Sequence, residues 1–129
     1  MKKKQLVSSG TKWENIVGYS RGVRVGNVIE IAGTTAIKDG EVIGIGDSYI
    51  QTQEILLIIK KTIEDLGGSL KNVVRTRIFV TDISQWKEIG RAHGEFFCEI
   101  KPVTTMIEVK SLINPELLVE IEATAILEI

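Results

Sequence analysis

Residues 119–127, VEIEATAIL, carry an apolar side chain at every second position, with Glu120, Glu122 and Thr124 between them. Because successive side chains of a β-strand point to opposite faces of the sheet, this pattern predicts a strand with one apolar and one polar face. The apolar face suits packing under helices. A chain with this strand is therefore expected to form a sheet that helices cover on one side.

A long amphipathic helix is predicted in DSYIQTQEILLIIKKTIEDLGG, residues 47–68. Asp47 or Ser48 can cap its start, and Gly67 and Gly68 can end it in the left-handed conformation. Seven residues with helical spacing form its predicted buried face: Thr52, Ile55, Leu56, Ile59, Thr62, Ile63 and Leu66. A second helix, in residues 83–100, is predicted to place five residues along one side: Trp86, Ile89, His93, Phe96 and Ile100.

Two-residue turns are predicted at Gly26-Asn27 and Asp39-Gly40, since these residues tolerate the positive φ that tight hairpins require. The chain therefore opens with an antiparallel meander, and further strands are expected in NVVRTRIFVTD and TTMIEVKSL. The order β-β-β-α-β-α-β-β predicts one α+β domain over residues 1–129. Its mixed sheet of about six strands is expected to carry two helices on one face.

The strand in NVVRTRIFVTD also has two predicted faces. Four residues are expected to point toward the helices: Val74, Thr76, Ile78 and Val80. Five charged residues then share the uncovered face of the sheet: Arg75, Arg77, Glu108, Glu120 and Glu122. Two helices cannot cover both faces, so this polar face is either solvated or packed against another copy of the chain.

Composition disfavours several classes of function. With 16 Lys and Arg against 17 Asp and Glu, the formal net charge is −1, which argues against a nucleic-acid-binding surface. One histidine and one cysteine cannot build a conventional zinc site, and they give little support to a hydrolytic triad. No phosphate-binding loop is present in the sequence. We therefore expect neither a metal nor a cofactor.

The expected location is the cytoplasm. Cys98 is the single cysteine and cannot form an internal disulfide, which suits a reducing compartment, and we expect it to be buried. No apolar run approaches the length of about 18 residues that a membrane span needs. The basic MKKK start is not followed by the long apolar run of a secretory signal.

Glu120 is the best candidate for an acid/base group. A mid-strand carboxylate near a subunit boundary can be partly desolvated and can hold a reactive water. The alternative is a solvated or ion-paired strand glutamate. His93 is expected on the apolar side of the second helix, near Trp86 and Phe97, either as a buried core histidine or as a ligand contact.

Other charged and aromatic residues leave alternatives open. Arg75 and Arg77 could hold an anion with their planar guanidinium groups, but pairing across strands with Glu108 or Glu120 is the favoured interpretation. Trp13 and Tyr19 either line a pocket or pack at the edge of the first meander. These residues by themselves predict a small oligomeric α+β protein with a charged sheet face, and no activity.

Four segments together resemble the Rid family of reactive-intermediate deaminases, also called the YjgF or endoribonuclease L-PSP-like family. They are YSRGVRVGNVIEIAGTT, the stretch from GDSYIQTQEILL to VTDISQW, HGEFFCEIKPVTTMIEV, and VEIEATAI. The resemblance covers nearly the whole chain. It implies a chorismate-mutase-like sandwich, assembled as a homotrimer with three small-metabolite sites between subunits. It also implies hydrolysis of enamine or imine products of amino-acid-processing enzymes to keto acids and ammonium.

The resemblance also implies roles for individual residues. Glu120 falls on the glutamate that assists the attacking water, and Tyr19 and the backbone of Gly33 fall on the ligand site. The arginine that holds the substrate carboxylate in the best-known members falls on Thr104, and a usual glutamine falls on Thr34. A threonine hydroxyl suits a carbonyl, an amide or a water better than an anion.

Three functions therefore remain open. The first is a deaminase-like hydrolase of a small, uncharged metabolite, in which Glu120 acts with the hydroxyls of Thr104 and Thr105. The second is a non-catalytic metabolite-binding trimer that regulates a partner enzyme. The third, an endoribonuclease-like inhibitor of translation, is disfavoured by the near-neutral charge. Arg77 and His93 are further candidate substrate-binding residues.

Overall fold

The computed structural model describes residues 3–128. The elements follow the chain in this order: β1 (Lys4–Val7), α1 (Lys12–Val17), β2 (Gly22–Val25), β3 (Val28–Thr34), β4 (Ile37–Lys38), β5 (Glu41–Val42), α2 (Ser48–Asp65), β6 (Val73–Val80), α3 (Trp86–Phe97), β7 (Val103–Glu108) and β8 (Val119–Ile126). Within this part of the chain, no helix is both long enough and apolar enough to cross a membrane.

Six strands form one mixed sheet in the order β1-β2-β3-β8-β6-β7. Neighbouring strands are antiparallel except β6 and β7, which are parallel. β8, the last strand of the chain, therefore lies inside the sheet. Among residues 3–128, the outer side of β7 has no strand partner. The predicted α+β sandwich is confirmed.

Both predicted hairpin turns are present. Gly26, with φ +63°, and Asn27 join β2 to β3, while Asp39 and Gly40, with φ +52° and +79°, join β4 to β5. The second hairpin forms a small sheet of its own. The first hairpin and β1 supply three neighbouring antiparallel strands at one end of the main sheet.

Helix α2 packs on β3, β8 and α3. Asp47 caps its start by accepting a hydrogen bond from the Ile50 N–H at 3.0 Å, and Gly67 follows its end with φ +92°. All seven residues predicted for its inner face are buried. Opposite them, Val119 and Ile121 of β8 are fully buried, so the predicted apolar face of this strand is confirmed.

The first residues of β6 depart from the prediction. The register between β6 and β8 shifts between Val73 and Arg75. As a result Val73 is buried and Val74 is 41% exposed, whereas the prediction turned Val74 inward. Such a bulge adds one residue to one strand and inverts the alternation on one side of it. From Thr76 onward the predicted alternation holds.

The buried stripe of α3 consists of Ile89, Ala92, His93 and Phe97. Trp86, predicted to face inward, is 53% exposed because it opens the helix, where its side chain extends back over the preceding turn. The prediction that Cys98 is buried was also wrong. Cys98 is exposed because it follows the buried stripe by one residue, about 100° around the helix axis.

The short helix α1 is missing from the predicted order. Its six residues, KWENIV, are too few to show a helical period, and Gly18 ends it with φ +87°. The buried carboxylate of Glu14 fastens it to the preceding segment. This carboxylate accepts hydrogen bonds from the Ser8 hydroxyl at 2.9 Å, from the Ser9 N–H at 2.6 Å and from the Ser9 hydroxyl.

Candidate functional site

Glu120 lies near the start of β8, on the sheet face opposite to α2. It alternates with the buried residues Val119 and Ile121. Its carboxylate lies over the backbone of Gly33, where an added Cβ atom would overlap with Oε1. The chain needs glycine at this position because the carboxylate occupies the volume that a side chain would take.

A bulge brings these two residues together. The register between β3 and β8 shifts between Ile31 and Thr34, where three steps along β3 match two along β8. A bulge of this kind re-aims the residues within it. It places Gly33 beneath the Glu120 carboxylate and leaves the side chain of Thr34 fully buried.

The environment of Glu120 favours its neutral form. Burial raises the pKa of this carboxyl, the charge of Glu122 raises it further, and the charge of Arg21 acts in the opposite direction. Among residues 3–128, Glu120 forms no salt bridge. A half-buried carboxyl with a raised pKa is a candidate for general acid/base chemistry.

Arg21 is the cation beside this carboxyl, and it was not among the residues predicted from the sequence. Its N–H donates to the Val7 carbonyl at 2.8 Å, and its carbonyl accepts from the Ala32 N–H at 2.9 Å, so its backbone is fixed. Its guanidinium donates from Nη1 to the hydroxyl of Thr34 at 2.9 Å. That hydroxyl also donates to the Ala32 carbonyl at 2.8 Å. The Thr34 side chain therefore positions the Arg21 guanidinium.

The charge of Arg21 belongs to a local network. Burial lowers the pKa of its guanidinium, while Tyr19, Glu14 and Glu120 oppose that shift. Arginine remains protonated at neutral pH, so a positive charge stays beside Glu120. Its position two residues after Tyr19, in YSRG, was the only sequence signal available.

A cleft of about 810 Å³ lies between α1 and the polar face of the sheet. Tyr19, Arg77 and Glu122 contribute to its lining. Tyr19 is 39% exposed and directly follows the turn that ends α1. Trp13, the other aromatic candidate of this region, is 43% exposed and is not part of the lining.

Arg77 and Glu122 form an ion pair on the polar face, with 3.3 Å between Nη1 and Oε1. They are direct cross-strand partners in β6 and β8. The predicted pairing of Arg75 or Arg77 with Glu108 or Glu120 was therefore wrong. The Glu108 carboxylate instead accepts a backbone hydrogen bond from the turn before α3. An exposed pair of this kind contributes about 0.2–1 kcal/mol, so Arg77 can exchange partners at small cost.

His93 and Thr104 belong to a second group on the helix side of the sheet. The Oγ1 atom of Thr76, in β6, lies 2.9 Å from His93 Nε2 and 2.8 Å from Thr104 Oγ1. The ring of His93 stacks at a tilt on Phe97, with 4.6 Å between ring centroids. Burial lowers the pKa of His93, which keeps the ring neutral at pH 7. Thr76 links the two candidates and was not selected from the sequence as a site residue.

One chain does not bring all the predicted site residues together. Tyr19, Gly33 and Glu120 lie on the polar side of the sheet, whereas Thr104 is directed toward α3 on the other side. Thr105, the next residue of β7, pairs in register with Arg77 and shares the polar side. The predicted residues therefore form two groups that the sheet separates.

The fold and these groups define a small α+β sandwich protein with a half-buried glutamate over a glycine. The chain belongs to the endoribonuclease L-PSP family, whose family model matches residues 9–127. This confirms the resemblance noted in the sequence.

Individual relatives agree with this assignment. The crystal structure of Rv2704 from Mycobacterium tuberculosis, a member of the YjgF/YER057c/UK114 family, is 47% identical and superimposes with a TM-score of 0.89 over 97% of this chain and 100% of that one. An uncharacterized protein of Streptomyces coelicolor is 36% identical over 119 residues, or 92% of this chain and 89% of its own. A RutC family protein of Pyrococcus abyssi is 34% identical over 109 residues, which cover 83% and 84% of the two chains.

Proposed function

We propose that this protein is a single-domain homotrimer of the cytoplasm that hydrolyses an enamine, an imine or a related small metabolite, with ligand sites between subunits. Membership of the family supports a role with small metabolites. The observation that carries the proposal is the half-buried carboxyl of Glu120, which lies over Gly33. Burial raises the pKa of this carboxyl.

Glu120 can serve both proton transfers that imine hydrolysis needs. As a carboxylate it takes a proton from water while the oxygen attacks the carbon of the protonated imine, and the electrons of the C=N bond become the lone pair of the carbinolamine nitrogen. As a carboxylic acid it then returns its proton to the nitrogen of the carbinolamine. The C–N bond then breaks, the hydroxyl oxygen forms the C=O bond, and its proton passes through the regenerated Glu120 carboxylate to the departing amine, so that a carbonyl compound and an ammonium product leave. An enamine enters the same sequence after protonation at carbon.

The placement of the two groups supports sites between subunits. Thr104 and Glu120 lie on opposite sides of one sheet, so a pocket containing both requires the β7 edge of a neighbouring copy. On the polar side of β7, Val103 and Ile107 are 56% and 47% exposed. Packing a second copy on this edge would remove both apolar side chains from water.

The ligand side of the proposal follows from charge. Thr104 stands where the resemblance places an arginine, and without that arginine a substrate carboxylate would lack a charge-assisted hydrogen bond of about 1.5–3 kcal/mol. The hydroxyls of Thr104 and Thr105 suit an uncharged carbonyl or amide. Arg21, beside Glu120, and Arg77 and Lys4, which line the cleft, are cations that could meet an anionic group.

The test is release of a carbonyl product from freshly generated amino-acid imines, measured for the wild type, Glu120→Gln and Glu99→Gln. Glu99→Gln is the control, since it makes the same chemical change at an exposed position that is not part of the cleft lining. We expect acceleration by the wild type and by Glu99→Gln, and a loss of at least about 100-fold in Glu120→Gln. Equal rates for the wild type and Glu120→Gln would contradict the proposed acid/base role.

A non-catalytic metabolite-binding trimer is the second candidate, and the threonine at position 104 is the observation that favours it. In that case no imine is hydrolysed faster than in buffer, while a small carbonyl compound still binds. The endoribonuclease alternative is less well supported. Glu14, Glu30 and Glu122 line the cleft, and these carboxylates would repel a phosphodiester backbone.

A further inference from the structure

Three hydrogen-bonding side chains connect the inside of α3 to the exposed edge of the sheet. His93 is 9% exposed and Thr76 is fully buried, whereas Thr104 is exposed on β7. The two links, His93 Nε2 to Thr76 Oγ1 and Thr76 Oγ1 to Thr104 Oγ1, measure 2.9 and 2.8 Å. We call these three residues the relay.

The direction of the hydrogen bonds follows from the number of protons available. Each threonine hydroxyl donates one proton, and the Pro102 carbonyl can only accept. Thr104 Oγ1 lies 3.3 Å from that carbonyl and donates to it. With that proton given to Pro102, Thr76 donates to Thr104 and accepts from His93, which is one of the two directions that the 2.8 and 2.9 Å distances allow. This assignment places the proton of the neutral His93 ring on Nε2.

We propose that His93 and Thr76 are positioning residues that keep the Thr104 hydroxyl proton directed away from Thr76, so that an uncharged carbonyl or amide oxygen of the ligand can accept it in place of the Pro102 carbonyl, whose contact is long at 3.3 Å. The proposal rests on the proposed function, because it assumes that the β7 edge contacts the ligand. At position 104, an uncharged hydroxyl donor would then stand where the resemblance places an arginine.

The alternative direction has a different chemical consequence. If the ring proton were on Nδ1, Nε2 would accept from Thr76, and Thr76 would accept the proton of Thr104. The outer side of Thr104 would then offer only lone pairs, which suit an N–H group of a ligand. The tautomer of His93 therefore distinguishes a site that donates from a site that accepts.

The first experiment reads the tautomer directly. His93 is the only histidine of the chain, so the ring nitrogens of uniformly ¹⁵N-labelled protein give one unambiguous set of NMR signals. At pH 7.5 we expect a protonated Nε2 and an unprotonated Nδ1. Thr76→Val removes the acceptor of this proton, so the spectrum should shift toward a mixture of tautomers. Thr52→Val is the control, because the buried Thr52 hydroxyl bonds the Ser48 carbonyl instead.

A wild-type spectrum with the proton on Nδ1 would overturn the proposal, and so would a Thr76→Val spectrum identical to that of the wild type. Neither result depends on turnover. Failure of the relay is therefore distinguishable from failure of the proposed function, which the imine assay measures.

The second experiment uses that assay on variants of the exposed residue. Thr104→Ser keeps the donor and should retain activity, whereas Thr104→Val should lose about tenfold in kcat/KM. Thr76→Val should lose a similar factor with Thr104 intact, and Thr52→Val should not. Equal activity of the Ser and Val variants at position 104 would show that no donor is needed there.

Discussion

The contact between Gly33 and the Glu120 carboxylate can be tested by adding one methyl group. In Gly33→Ala the new Cβ atom would overlap with Oε1 of Glu120, so the carboxylate or the strand must move. Overpacking of this kind costs about 1–3 kcal/mol. We therefore expect the free energy of unfolding to fall by about that amount, and proton transfer by Glu120 to be impaired.

A double-mutant cycle isolates this contact from the general effect of an alanine in a strand. In a Glu120→Ala background the overlapping atoms are gone, so Gly33→Ala should cost little. The coupling free energy between the two positions should be about 1–3 kcal/mol. Gly94→Ala is the matched control, because a Cβ there meets nothing within 4 Å. In the middle of α3 that substitution should stabilise by about 0.5–1 kcal/mol.

The assay is urea unfolding followed by circular dichroism, at one protomer concentration, since the stability of an oligomer depends on it. If Gly33→Ala costs the same with and without the Glu120 side chain, the carboxylate does not occupy the space over Gly33. The position assigned to the Glu120 carboxylate in the site would then be wrong.

Three further predictions concern charge, protonation and capping. The pKa of Glu120 is higher in the folded state than in the unfolded state, so the stability that this carboxyl contributes is present below its unfolded pKa and is lost as the pH rises through the folded pKa. Glu120→Gln should therefore be more stable than the wild type at pH 7. Urea titrations should show that this advantage disappears below about pH 4.5. Burial lowers the pKa of His93, so the stability that the neutral ring contributes is present above an unfolded pKa of about 6.5 and is lost as the pH falls. The melting temperature should therefore decline between pH 7.5 and 5, and His93→Asn should reduce that decline. The same pH dependence in both proteins would contradict this prediction. Asp47→Ala should destabilise by about 1 kcal/mol in urea unfolding, whereas Asp65→Ala, on an exposed i,i+4 pair, should cost about 0.5 kcal/mol or less.

The sequence predicted the fold well where side chains repeat regularly. The alternation of β8 and the inner face of α2 were both correct, because burial on one side dictates a period of two in strands and of 3.6 in helices. The prediction failed where the period breaks. The bulge at Val73 inverts the first residues of β6, and α1 is too short to show a period.

The site was predictable only in part, for a physical reason. Glu120 was selected from the strand pattern and Gly33 through the resemblance, but their contact depends on a register shift in β3 that no local pattern reveals. Arg21 and Thr76 were missed because their partners are distant in sequence: Thr34 lies 13 residues from Arg21, and Thr104 lies 28 residues from Thr76. Spacing along the chain carries little information about such contacts.

The central claim is that the Glu120 of one subunit and the Thr104 of another form one site. Mixing subunits tests it most directly. Glu120→Gln and Thr104→Val proteins, each impaired as homotrimers, are unfolded together in equal amounts and refolded, and imine hydrolysis is measured.

If each site takes the two residues from different chains, about a quarter of the sites regain both native side chains. The mixture should then exceed the mean activity of its parents. If both residues act within one chain, every chain in the mixture still carries one defect. Activity equal to the mean of the two parents would contradict the account.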